Sequence, residues 1–227
     1  MLVESILARV LATNCWVVAP ADGESAVIID PGGGLGDRLT RFVDAHKLTP
    51  AAVLITHGHF DHTMSAADVS RTYGVGVYLH TADRWQLDDP WAGIGLPPGS
   101  VVPDLGTVTP AEPDDVTELR GGESVELGSL VVRVVSVPGH TPGSVVYTVS
   151  ADGVQTMFTG DFLFAGSIGR MDLPGGDEEA MRESLRETVR TAPPDAVVRP
   201  GHGPSSTFGR ELETNPFLHD VRWDRGE

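Results

Sequence analysis

The segment Leu54–Thr63 reads LITHGHFDHT and crowds three histidines and an aspartate behind an apolar run. Groups of this kind, so close together, are costly to hold unless something binds among them. His57 and His59 are two residues apart, so in an extended segment their side chains share a face, whereas Asp61 and His62 fall where a strand gives way to a helix. The pattern offers two imidazoles to one metal ion and an Asp/His pair to a second. Three further ligand-type residues follow strand-like runs, each beside a glycine: His140 in VPGHTPGS, Asp161 in MFTGDFLF and His202 in VVRPGHGP. Glycine lets the backbone turn sharply there, and loops at one edge of a sheet can bring such residues together. Five of the 8 histidines are thereby accounted for. His46, His80 and His219 are read as helix surface, strand end and tail.

The elements that must position these residues are legible as an alternation. CWVVA, AVIID, AAVLIT and VGVYL are short β-branched runs closed by turn residues, as are SLVVRVVSVPG, SVVYTVS, QTMFTGD and DAVVRPG further on. GLGDRLTRFVDAHKL and HTMSAADVSRTYG have helical spacing. The clearest helix follows Asp177, which can cap it, with Met181, Leu185, Val189 and Ala192 on one face. Two strand-rich halves, each with covering helices, predict two sheets packed face to face with helices outside. The stretch from Asp88 to Asp115 is rich in Pro, Gly and acids and shows no periodicity; a loop of that length is expected to be functional or a linker. Ligand-type residues lie on both sides of it, which favours a loop on one domain, 1–227.

Composition narrows the partners. The 227 residues are 40% hydrophobic, enough for a substantial core, and carry 16 Lys+Arg against 32 Asp+Glu, for a net charge of -16. A nucleic acid or an anionic membrane would be repelled over most of such a surface, and no Lys/Arg run offsets it. Cys15 is the lone cysteine, so no internal disulfide calls for an oxidising compartment. The opening twenty residues carry Glu4 and Arg9 within their apolar run and lack a basic start, reading as neither signal peptide nor membrane span. The expectation is a soluble cytoplasmic protein whose partner is a small molecule, with its oligomeric state left open.

The order H-x-H-x-D-H, Gly-His, Gly-Asp, Gly-His, with strand series on both sides, resembles the metallo-β-lactamase fold superfamily over essentially the whole chain. TGDFLFAGSIGRMDLPGGD and PGHGPSSTFGRELETNPFL resemble its glyoxalase II-like branch in the short bacterial form, and GRMD is similar also to persulfide dioxygenases. The resemblance implies an α/β fold, a four-layer αββα sandwich of two mixed sheets. It implies His57, His59 and His140 on a first metal, Asp61, His62 and His202 on a second, and Asp161 between them, with catalytic duty for Asp61, His62 and Asp161. Asp30, closing AVIIDPGG, matches an aspartate that supports the site from behind, although an Asp-Pro turn explains it equally well. Arg170 stands where relatives carry a basic residue that meets the anionic end of a thiol substrate; a surface arginine is the alternative. Full-length glyoxalase II enzymes continue into a helical domain after the last ligand, and only residues 203–227 follow His202.

Two divalent ions, zinc first and iron or manganese as alternatives, can share a hydroxide that attacks an acyl or phosphoryl bond at neutral pH. A thiolate, with a free pKa of about 8.5, leaves without a strong general acid, and none is evident near the motifs. The expected activity is hydrolysis of an S-2-hydroxyacyl small thiol such as S-D-lactoylglutathione. The alternative is a mononuclear iron persulfide dioxygenase, for which two histidines and one carboxylate suffice. A metal-stabilised domain without activity fits less well, because structural zinc sites are closed and usually cysteine-rich.

Overall fold

The computed structural model describes residues 1–97, 100 and 111–222. In chain order the first half comprises β1 (Leu2–Leu7), β2 (Asn14–Ala19), β3 (Ser25–Ile29), α1 (Arg38–Ala45), β4 (Thr49–Leu54), α2 (Phe60–Thr63), α3 (Ala66–Tyr73), β5 (Val77–His80), α4 (Trp85–Asp88) and β6 (Val116–Leu119). Its strands form one six-stranded sheet in the order β1 to β6, antiparallel across β1, β2 and β3 and parallel from β3 onward. The second half comprises β7 (Ser124–Leu127), β8 (Leu130–Ser136), β9 (Val145–Ala151), β10 (Val154–Gly160), β11 (Leu163–Phe164), β12 (Ser167–Ile168), α5 (Glu178–Thr191), β13 (Val197–Pro200), β14 (Ser206–Thr207), α6 (Phe208–Thr214) and α7 (Pro216–Arg222). Its large sheet runs β14-β13-β10-β9-β8-β7, with the single parallel pair β10/β13, while β11 and β12 make a small hairpin.

Strand alternation sorts the apolar residues into layers. From β2, Cys15, Val17 and Ala19 pack with Leu39, Val43 and Val69 of α1 and α3. Trp16 and Val18, pointing the other way, meet Val132, Val134, Tyr147 and Phe158 of the second sheet. Val146 and Met157 then face Met181, Leu185 and Val189 of α5. Both faces of each central strand are therefore covered, which is why β2 and β3 read as unbroken apolar runs. This is the mixed α/β, helix-sheet-sheet-helix arrangement expected.

The cap of α5 is as read: Ala180 N donates to Asp177 Oδ1 at 2.9 Å. Ala192 lies just past the last turn. Within the terminal run, Leu218 docks on its own chain, joining the Met181 cluster. β1 was not expected, because its edge position leaves a mixed pattern of exposure along LVESIL. The described part of the Asp88 to Asp115 stretch is less irregular than its composition suggests. Trp91 is buried against Phe60, ring centroids 5.7 Å apart, and Ala92–Ile94 forms a 3-10 turn. Residues 98–99 and 101–110 of that stretch lie outside the described residues. Among the described residues no helix is long and apolar enough to cross a membrane.

Candidate metal centre

Four strand ends deliver the seven residues singled out by their spacing. β4 leads into His57, His59, Asp61 and His62, the last two on α2; β8 leads toward His140, β10 ends at Gly160 beside Asp161, and β13 is followed by His202. Gly160, at φ +48, turns the chain at that point, and a Cβ on it would collide with Thr56 Oγ1. Gly201 serves by close approach instead, since a Cβ there would stand 2.5 Å from both Asp161 Oδ1 and His62 Cε1.

Three overlapping triads result: His57, His59 and His140; His57, His62 and Asp161; and Asp61, His62 and His202, with ligand-type atoms in each lying within 4.8 Å of one another. Asp161 stands between the first and last. Its Oδ1 is 3.3 Å from His62 Nε2, and its Oδ2 is 3.7 Å from His140 Nε2 and 3.5 Å from His202 Nε2. His202 Nε2 also lies 3.2 Å from Asp61 Oδ2.

The partners of the opposite ring nitrogens determine what these atoms can do. His140 Nδ1 donates to the Arg170 carbonyl at 2.6 Å and His62 Nδ1 to Asp30 Oδ2 at 2.9 Å. Thr56 Oγ1 donates to Asp30 Oδ2 at 2.7 Å, leaving its lone pairs for His57 Nδ1 at 3.2 Å. With each Nδ1 a donor, the Nε2 atoms of His57 and His140 present lone pairs to each other across 3.2 Å. Lone pairs so placed repel unless a cation lies between them. His59 Nε2 and Asp161 Oδ1 are buried without hydrogen-bond partners, the state expected of groups left for a metal. The donor set, imidazole and carboxylate with cysteine absent, suits zinc, iron or manganese, and the residues present fit such ions.

Charge divides the cluster. Burial, then the neighbouring imidazoles of His62 and His140, lowers His57 well below the usual histidine range. Burial and His140 likewise bring His59 down to about 4. Burial also opposes charge on His62, but Asp61, Asp161 and Asp30 outweigh it and raise its pKa; His202 is raised against burial by its hydrogen bond to Asp61 and by Asp161. Both carboxylates are held low by these histidines, despite burial. A proton on His62 or His202 and a metal ion compete for the same nitrogen.

Three supporting residues escaped the sequence reading. Asp83, fully buried, accepts from Gly58 N, Gly143 N and Thr141 Oγ1, all at 2.7 Å, and so ties the His57-Gly58-His59 turn to the loop after His140. Its burial raises its pKa in spite of these bonds. Thr13 donates to Asp61 Oδ2 at 3.0 Å and pairs with His202 through the backbone, while Asn14 Nδ2 bonds the Pro200 and Gly203 carbonyls on either side of that histidine. Asp30 has the supporting place expected of it, in a left-handed backbone conformation at φ +51. Arg170 lines the cleft over the cluster, its exposed guanidinium donating to both oxygens of Asp172 at 2.6 Å. His46, His80 and His219 lie elsewhere: bonded to Asp22, capping Ala82 N, and bonded to the Glu213 carbonyl.

A family profile described as Metallo-beta-lactamase superfamily matches residues 8–202. The hydroxyacylglutathione hydrolase GloC of Haemophilus influenzae is 32% identical, covering 96% of this chain and 99% of that protein. Among solved structures, BLEG-1 B3 metallo-beta-lactamase has a TM-score of 0.82 at 36% identity, covering 96% of this chain and 99% of its own. TTHA1623 in a di-iron-bound form has a TM-score of 0.77 at 34% identity, covering 94% and 99%.

Proposed function

The chain belongs to the metallo-beta-lactamase superfamily, and from that premise we propose that it is a metal-dependent thioester hydrolase of glyoxalase II type, cleaving S-2-hydroxyacyl small thiols to a hydroxy acid and the free thiol. The observation that carries this reading is the pair of triads joined by Asp161. His57, His59 and His140 would hold one ion, Asp61, His62 and His202 the other. Two such ions supply a nucleophile from water at neutral pH and polarise the carbonyl under attack.

The chain's own residues do the positioning. Asp30 and the Arg170 carbonyl fix the tautomers of His62 and His140, so that each turns an acceptor nitrogen inward. Arg170 at the rim would meet a carboxylate on the thiol, exchanging it for Asp172, an exposed pair that costs little to break. The full second triad speaks for hydrolysis over persulfide oxidation, because mononuclear iron chemistry has no use for Asp61 and His202. The resemblance to GloC supports a hydroxyacyl substrate; that to BLEG-1 makes a β-lactam the comparison compound.

Thiol release from S-D-lactoylglutathione, followed with and without oxygen and beside a chromogenic β-lactam, tests the proposal. The expected result is thioester turnover at one rate in both atmospheres and far slower lactam opening. Oxygen uptake with glutathione persulfide and no thiol from any thioester would return the site to the oxygenase alternative.

A further inference from the structure

The cleft above the cluster has a volume of about 720 Å³, and its walls differ from its floor. The floor includes five of the candidate ligands, His59, Asp61, His140, Asp161 and His202. The walls are built of Leu11, Ile94, Leu96, Phe164, Ile168 and Leu173, from separate stretches of chain. Leu11 is 58% exposed and Leu96 39% exposed, so two large apolar side chains stand in water at the mouth of a reaction site. Among the described residues lining the cleft, Arg170 is the one Lys or Arg, and it already has Asp172 as a partner.

The backbone beneath Leu11 adds a second observation. Leu11 and its neighbour Ala12 both adopt left-handed conformations, at φ 50 and 57, which L residues other than Asn and Asp seldom take. The next residue, Thr13, pins the turn to the site through Asp61 and His202. Strain held in place beside reacting groups calls for a use. Here its visible result is an exposed leucine at the rim of the cleft.

We propose that the cleft selects thioesters whose acyl group carries an alkyl tail longer than the methyl of lactate, with the tail lying along the apolar lining of Leu11, Leu96, Phe164 and Ile168, and the polar thiol at the rim beside Arg170. The inference rests on the thioesterase reading above and specifies its substrate class. A polar thiol moved against these walls would lose water without gaining hydrogen bonds, whereas an alkyl tail gains by leaving water. The reaction is unchanged: the oxygen of water joins the acyl carbon, the C–S bond breaks, one proton goes to the departing sulfur and the other to solvent. No oxidant or reductant is consumed.

The test uses the metal-loaded full chain and one thiol, glutathione, carrying lactoyl, 2-hydroxybutanoyl, 2-hydroxyhexanoyl and 2-hydroxyoctanoyl groups. In a partly open cleft kcat/KM is expected to rise about two- to fourfold per methylene until the walls are covered. In the double variant Leu11→Ser/Leu96→Ser, whose thermal midpoint checks folding, the ratio of hexanoyl to lactoyl turnover should fall toward one. A flat or falling series, or an undiminished ratio in the double variant, overturns the proposal while leaving the thioesterase standing. Absence of thiol release from every thioester overturns both.

Discussion

The two halves of the cluster are held by different means. His57, His59 and His140 are all imidazoles, of which burial and neighbouring histidines hold His57 and His59 below the usual histidine range, and the loops carrying the three are joined by Asp83, mainly through backbone N–H groups. Asp61, His62 and His202 are held by charge, with Asp30 behind His62 and Thr13 behind Asp61. One half is fastened through its loops; in the other the raised pKa values of His62 and His202 favour protons on the nitrogens that a metal ion would take. The contrast teaches that ligand geometry can be fixed either by fastening the chain or by fastening the side chain.

Asp161 joins the halves, so its removal should have the largest effect. Asp161→Ala is expected to cost more than about 100-fold in activity, beyond the usual loss from a residue that only orients a ligand, with metal content falling in both halves. Elemental analysis that finds one half still full would show the halves to be independent. Asp83→Ala should come next, at about 10- to 100-fold in metal affinity. It should also unsettle the fold, since three buried donors lose their acceptor at about 1–3 kcal/mol each, a drop in Tm of roughly 10 °C. An unchanged midpoint would remove Asp83 from the account.

Asp30→Ala should cost a similar 10- to 100-fold, with a comparable loss of Tm because Thr56 N, Thr56 Oγ1 and His62 lose their acceptor, but chiefly in the other half, since its link to His57 runs through Thr56. His62 loses its acceptor, so the second equivalent of metal should weaken before the first in calorimetric titration; equal weakening of both would erase the distinction. The smallest effect belongs to Arg170→Ala. The carbonyl that holds His140 survives the substitution, so metal content should be unchanged and KM should rise by less than about tenfold with kcat preserved. A fall in kcat alone would move Arg170 closer to the reacting atoms.

The same contrast explains what could be read from the sequence. The candidate ligands carry local marks, the cluster H-x-H-x-D-H behind a strand for four of them and a strand followed by Gly-His or Gly-Asp for His140, Asp161 and His202, so the seven were visible as a set, and the alternating strands foretold the layers. Asp83 carries none: HTADRW looks like any helix start, and the role of Asp83 exists only because the end of β5 meets the loop after His140. Thr13 and Asn14 gain their roles from the approach of β2 to the His202 loop, 186 to 189 residues away in the chain for Asn14. At Arg170 the side chain drew notice, although the atom that grips His140 is a backbone carbonyl, which residue type cannot reveal. β1 and the four-residue strands β6 and β7 were missed because edge strands carry weak or broken alternation.

The central claim is a site that works with two ions. Protein stripped of metal and refilled in steps, with thiol release from an S-2-hydroxyacyl thioester followed at each step under nitrogen, tests it most directly. Activity is expected to climb to a plateau at two equivalents per chain and to be the same when oxygen is admitted. Full activity at one equivalent of iron, appearing only in oxygen, would contradict it.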